Sequence, residues 1–152
     1  MLDLLELKSG AHSTALSLII TKIDQLRQEL DNCQAAANNE SKSSAGDKYE
    51  TGRAMMHLEQ GKLTSMLNQV LKQERVLREI NPNISKSKVE LGSLFKTQET
   101  IFYISVSLGL IDIEPKVLCI SPVSPLGQAM EGKTQGDEVT FNGKKYVIEE
   151  VA

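Results

Sequence analysis

Asp47 and Glu50 stand three residues apart within SKSSAGDKYETGRA, residues 41 to 54, with Lys42, Lys48 and Arg53 around them. Two carboxylates at this spacing offer the hard oxygen atoms that Mg²⁺ takes as ligands, and a metal held there would position a water for attack. The same acids have a structural explanation. Ser44-x-x-Asp47 reads as a capping box, and acids in the first turn of a helix are favoured by its dipole by about 0.3–1 kcal/mol each. Because acids are common at helix starts, the capping account outweighs the metal one. The cations around them form either a solvated surface of mixed sign or a charged face that meets a partner or a phosphate backbone. Gly46 and Gly52 permit tight turning or close approach, although Gly52 inside a helix costs about 1 kcal/mol relative to Ala.

Other reactive residue types are isolated. His12 and His57 have no His or Cys at metal-ligand spacing, so a surface or packing role is expected for both. Cys33 and Cys119 lie far apart without a C-x-x-C, which suits a reduced, cytoplasmic compartment. Ser13, Ser44 and Ser124 look like helix caps, and none lies in a G-x-S-x-G or S-x-x-K context that would mark a nucleophile. Phosphate-cradling patterns such as G-x-x-x-x-G-K-[ST] are absent, so no nucleotide or other cofactor of its own is expected.

Composition narrows the classes further. The 152 residues are 40% hydrophobic with no Trp, three Tyr and three Phe, so the core must be mainly aliphatic. A net charge of -3 argues against a free-standing nucleic-acid binder, whose phosphate affinity would need clustered Lys and Arg. No apolar run approaches the roughly 20 residues that span a bilayer.

Two kinds of periodicity divide the chain. Ile19, Ile23, Leu26, Leu30, Cys33 and Ala37 recur in alternating steps of four and three, the signature of a helix with one dry stripe. Tyr49, Met56, Leu63, Val70 and Leu77 recur every seven residues, with Met66 or Leu67 and Ile80 available for the second seam position. Asn81-Pro82 stops this second helix. The two helices, over residues 1–80, are expected to form an antiparallel coiled-coil hairpin with its tip near 41–48. A linker follows at 81–88, and a small β-rich domain occupies 89–152. Its strands are expected at Val89 to Phe95, Ile101 to Val106, Val117 to Ile120, Glu138 to Phe141 and Lys145 to Val151. Asn142-Gly143 signals a two-residue hairpin turn. Ser124-Pro125 opens a short helix through Met130, which Gly132 can end. The fold class is therefore α+β, an N-terminal helical hairpin followed by an antiparallel sheet with one short helix.

In ISPVSPLGQAMEGKTQGDEVTFNGKKYVIEEV, residues 120 to 151, Ser121-Pro122, Ser124-Pro125, Leu126, Ala129, Met130, Gly132-Lys133, Gly136-Asp137-Glu138-Val139 and Tyr146-Val147-Ile148 together resemble the C-terminal domain of the bacterial Gre transcript-cleavage factors. The likeness covers roughly residues 86 to 152, and the hairpin before it resembles the long coiled coil of the same family. It implies a domain of the fold seen in FK506-binding proteins. It also implies a regulator of transcription elongation or initiation that binds RNA polymerase and meets nucleic acid only within the transcription complex. In that family the hairpin enters the polymerase secondary channel, while the C-terminal domain docks outside it; here Ser121, Pro122, Ser124, Pro125, Gly132 and Asp137 would be the docking residues. The family tip carries D-x-x-E-N-x-E-Y, whose acids help hold the catalytic Mg²⁺ of polymerase. Aligned on Tyr49, this chain has Lys42 and Ala45 at those acidic places. Lys42, Ser44, Asp47, Lys48, Glu50 and Arg53 would then meet the polymerase active centre without efficient transcript cleavage, in a monomeric factor that is not itself an enzyme. Three alternatives stay open: cleavage stimulation through Asp47 and Glu50, a coiled-coil adaptor, and a prolyl isomerase lined by Phe95, Phe102, Tyr103, Phe141 and Tyr146.

Overall fold

The computed structural model describes residues 2–41 and 46–152, and the side chains of residues 39–41 and 46–50 fall outside that description. Asp3 starts the first helix, α1 (Leu4–Ser41). Its Oδ1 accepts from the amide N–H groups of Leu5 and Glu6 at 3.0 and 3.3 Å, satisfying two donors that a helix start leaves unpaired. Ser13, expected as a cap, lies inside this helix. Burial explains the difference: Leu4, Lys8, Ala11, His12 and Ala15 extend the stripe upstream of Ile19, but the polar residues at 8 and 12 hide its period in the sequence.

The second helix, α2 (Gly46–Glu79), ends before Asn81-Pro82. Ile19, Ile23, Leu26 and Cys33 on α1 and Leu63, Val70 and Leu77 on α2 are all buried. Cys33 Sγ reaches the Met56 carbonyl at 3.5 Å, and Gln60 Nε2 donates to Gln34 Oε1 at 2.8 Å, so the helices run antiparallel. Steps of seven from the Cys33–Met56 pair set Leu26 against Leu63 and Ile19 against Val70, as a heptad seam requires. Leu67 is half-buried while Met66 is 40% exposed, so Leu67 takes the contested seam position.

The chain divides into two compact units, Leu18–Glu74 and Met1–Ser17 with Arg75–Ala152. The second holds β1 (Leu94–Lys96), β2 (Ile101–Ile104), β3 (Gly109–Ile111), β4 (Val117–Ile120), α3 (Pro125–Met130), β5 (Glu138–Phe141), β6 (Lys144–Val147) and β7 (Glu150–Val151). Five strands form one sheet in the order β3-β4-β2-β1-β7, and β5 and β6 form a hairpin. Its pairings are antiparallel except for β2 with β4, which run parallel. Alternation along the strands feeds two cores. Leu94, Ile101, Tyr103, Val117 and Cys119 pack with Leu4 and Ala11 of α1, whereas Phe95, Phe102 and Ile104 pack with Val89, Met130, Val139 and Ile148. This double cover explains why all four residues of β2 are buried.

Three strand assignments change. The run from Val89 does not become strand until Leu94, because Gly92 turns the chain at φ 90° and Ser93 Oγ donates to the Glu90 carbonyl at 2.7 Å. β3 was not anticipated; it is only 3 residues long, and Leu110 at its centre is 58% exposed. The last apolar run splits because Ile148 N–H donates to the Asp137 carbonyl at 2.9 Å while Glu149 N–H donates to Lys96 at 2.8 Å, so the chain leaves β5 and joins β1. Asn142 and Gly143 take φ 52° and 76°, the two positive angles expected of the hairpin turn.

Candidate functional site

Residues Ser121 to Gly127, a loop and the first turn of α3, are held by their own polar atoms. Ser124 caps α3 from extended backbone; its Oγ accepts from the Gly127 N–H at 3.1 Å and donates to the Ser121 carbonyl at 2.6 Å. Ser121 Oγ accepts from the Val123 N–H at 3.1 Å, and Gln128 Nε2 donates to the Val123 carbonyl at 3.0 Å. Pro125 needs no amide partner at the first helical position. A Cβ on Gly127 would come within 2.2 Å of the Ser121 carbonyl oxygen, so only glycine fits that close approach. With its polar groups tied inward, the loop presents Pro125 and Val123 to solvent, Val123 at 76% exposure. Val123 is not among the residues singled out in the sequence, although it is an apolar residue set between two Ser-Pro pairs.

The turn from Gly132 to Asp137 is built the same way. Gly132, at φ 77°, donates to the Val89 carbonyl at 2.8 Å. Asp137 Oδ2 accepts from the Thr134 N–H at 2.8 Å and the Thr134 hydroxyl at 3.2 Å. Those bonds, the amide first, hold the Asp137 carboxyl below the usual carboxylate range. Ser121, Ser124, Gly132 and Asp137 thus shape backbone, and Pro122, Val123 and Pro125 supply the surface between them. Ser124 already donates and accepts inside its turn, an arrangement suited to holding a contact rather than attacking a substrate.

At the hairpin end, Lys42 and Ser44 lie outside the described residues, as do the side chains of Asp47, Lys48 and Glu50. Arg53 is exposed on α2, with its Nε directed to His57 Nε2 at 3.4 Å. Among the described residues no three His, Cys, Asp or Glu side chains gather as they would around a metal ion.

A buried polar row lies between α1 and the sheet. Lys8 Nζ donates to the Ile84 carbonyl at 2.7 Å; burial, helped by the charge of Lys86, pulls its pKa down to about 8. His12 Nδ1 lies 2.8 Å from the Tyr103 hydroxyl, and burial lowers the His12 pKa while raising that of Tyr103. Burial also pushes the Cys119 thiol up to about 11. Of the rings an isomerase pocket would need, Phe95 and Phe102 stack at 5.0 Å, and Tyr146 meets Phe102 edge-on at 6.0 Å.

Residues 86–151 match the family described as transcription elongation factor, GreA/GreB, C-terminal. Among curated proteins no match was found. A solved structure of the transcription factor Gfh1 is similar over 91% of this chain and 93% of its own at 15% identity, with a TM-score of 0.38. No helix among the described residues is long and apolar enough to cross a membrane. Residues 86–151, with the Ser124-capped helix and the Asn142-Gly143 hairpin, are thus similar to the C-terminal domain of the GreA/GreB transcription elongation factors.

Proposed function

We propose that this factor binds RNA polymerase and regulates transcription by passing the end of its helical hairpin into the secondary channel, with little stimulation of transcript cleavage. The observation that carries the reading is the GreA/GreB domain at residues 86–151, preceded by two long antiparallel helices. The Ser121–Pro125 loop, with Val123 outward, would dock on polymerase outside the channel, and the Gly132–Asp137 turn would hold that surface in shape. In the sequence aligned on Tyr49, Lys42 and Ala45 stand where the family carries its acids. A lysine and an alanine offer no carboxylate to the polymerase Mg²⁺, so the hairpin end would act as a charge-bearing plug. The factor itself would act as a monomer, need no cofactor of its own and catalyse nothing alone.

Binding to cognate polymerase, followed by RNA cleavage in a stalled elongation complex, tests this. Expected are saturable binding, weak cleavage, and a gain of cleavage in Lys42→Asp with Ala45→Glu. Strong cleavage by the natural chain, lost in Asp47→Ala with Glu50→Ala, would instead assign those acids to the metal. No affinity for polymerase would overturn the reading.

A further inference from the structure

Asn142 is the one asparagine of this chain that precedes glycine. The pair makes the solvent-exposed turn of the β5–β6 hairpin, and a Cβ on Gly143 would meet nothing within 4 Å. A glycine leaves its own amide nitrogen unscreened, so this dipeptide is prone to cyclise. The Gly143 nitrogen loses its proton to a base in the solvent and bonds to Asn142 Cγ, and ammonia leaves. Water then opens the five-membered imide at either carbonyl, leaving aspartate or isoaspartate at 142. Nothing is oxidised or reduced, and water is the only co-reactant.

The turn opposes that ring closure. A five-membered ring needs Asn142 Cβ and the Gly143 nitrogen on the same side of the bond from Cα to the carbonyl carbon. Asn142 sits at φ 52°, in the left-handed region where ψ is about 30–60°, and there the two atoms stand nearly opposite each other. Cyclisation therefore waits for the turn to come apart. The hairpin is a two-stranded sheet of its own, paired from Glu138↔Val147 to Phe141↔Lys144, and such a pair is marginal in water without further support. Its far end is tied by Gly136 N–H to the Ile148 carbonyl at 2.7 Å and by Ile148 N–H to the Asp137 carbonyl at 2.9 Å. Nearer the turn, Gln98 reaches across from the loop between β1 and β2. Its Nε2 donates to the Lys145 carbonyl at 2.5 Å, and its Oε1 accepts from the Val147 N–H at 2.9 Å, so one amide side chain pairs with β6 as a third strand would. The ion pairs Lys144–Glu99 and Lys145–Glu138, at 3.0 and 3.1 Å, are exposed and add little.

We propose that Asn142 is a site of spontaneous deamidation gated by opening of the β5–β6 hairpin, with Gln98 as the side chain that keeps the gate shut. Aspartate at 142 preserves the hairpin, because Asp-Gly suits the same turn. Isoaspartate adds a methylene to the main chain and breaks the two-residue turn, loosening Val139 and Ile148 in the core they share with Phe95 and Phe102. The inference is independent of polymerase binding.

Peptide mapping by mass spectrometry tests it on the full chain held at mildly basic pH, with synthetic asparaginyl, aspartyl and isoaspartyl turn peptides as standards. Conversion at 142 should run about tenfold or more faster in guanidinium chloride than in buffer, since only the open fraction reacts. Gln98→Ala should speed conversion in buffer by about tenfold, the effect of two lost hydrogen bonds. Leu63→Ala, which weakens the α1–α2 seam, should leave the rate unchanged. The isoaspartyl product, separated by ion exchange, should melt below Asn142→Asp. Equal rates in buffer and denaturant overturn the gate, as does an unchanged rate in Gln98→Ala. Equal acceleration by Leu63→Ala would assign the reaction to global unfolding and overturn it too, and equal melting of the two products would overturn the loss of the turn. Should Gln98→Ala fail to fold, the comparison of buffer with denaturant, which needs no variant, decides.

Discussion

Gly127 and Lys8 show how single positions constrain this fold. The atom that alanine would add at Gly127 falls 2.2 Å from a backbone oxygen, and backbone cannot swing away as a flexible side chain would. Gly127→Ala should therefore destabilise by about 1–3 kcal/mol, the usual range for overpacking, and chemical denaturation would measure it. Lys8 makes a pH prediction. Its pKa falls from 10.5 in the open chain to about 8 in the fold, so between those values the unfolded state binds more protons. Stability then rises with pH across that window; the penalty for a charged buried amine is fully present below it. Cys119 works in the opposite direction from its ordinary value of 9.0 upward, because its thiol is pushed up to about 11. The melting temperature should accordingly climb between about pH 8 and 9 in the natural chain, and that climb should be missing in Lys8→Met.

At the scale of elements, the hairpin seam was legible because one helix repeats every three to four residues and the other every seven. Leu67 is half-buried and Met66 40% exposed, a distinction the spacing alone left open. Leu63→Ala should cost about 2–5 kcal/mol, whereas Gly61→Ala, whose added carbon meets nothing within 4 Å, should stabilise α2 by about 0.5–1 kcal/mol. Thermal melts of both variants check the two signs. The strands were harder to read. Val89 to Phe95 has strand-like residues but turns at Gly92, and the final run changes partners at Ile148, an event governed by distant carbonyls on Asp137 and Lys96. The upstream part of α1 was obscured by Lys8 and His12, polar residues whose buried partners, Ile84 and Tyr103, lie far along the chain.

For the whole molecule, many residues at fixed spacing made the likeness to the GreA/GreB C-terminal domain legible in the sequence, and the family match covers residues 86–151. It disclosed less about which of those residues touch a partner. Ser121, Ser124 and Asp137 turn out to bond neighbouring backbone, a role that identity alone cannot separate from docking. Val123, at 76% exposure, makes the cleaner test. Val123→Asp should change the unfolding free energy by no more than about 0.5 kcal/mol, as surface substitutions do, while weakening capture of polymerase. Retained capture would move the docking surface elsewhere.

Both native thiols are sheltered: Cys33 is 8% exposed and Cys119 1%, and the reactive thiolate of Cys119 is suppressed by burial. An engineered Leu58→Cys, at a site 76% exposed, should therefore take a maleimide dye selectively without deletion of either natural cysteine. A fluorophore at that point would report, by energy transfer, how far the hairpin has travelled inside any host it enters.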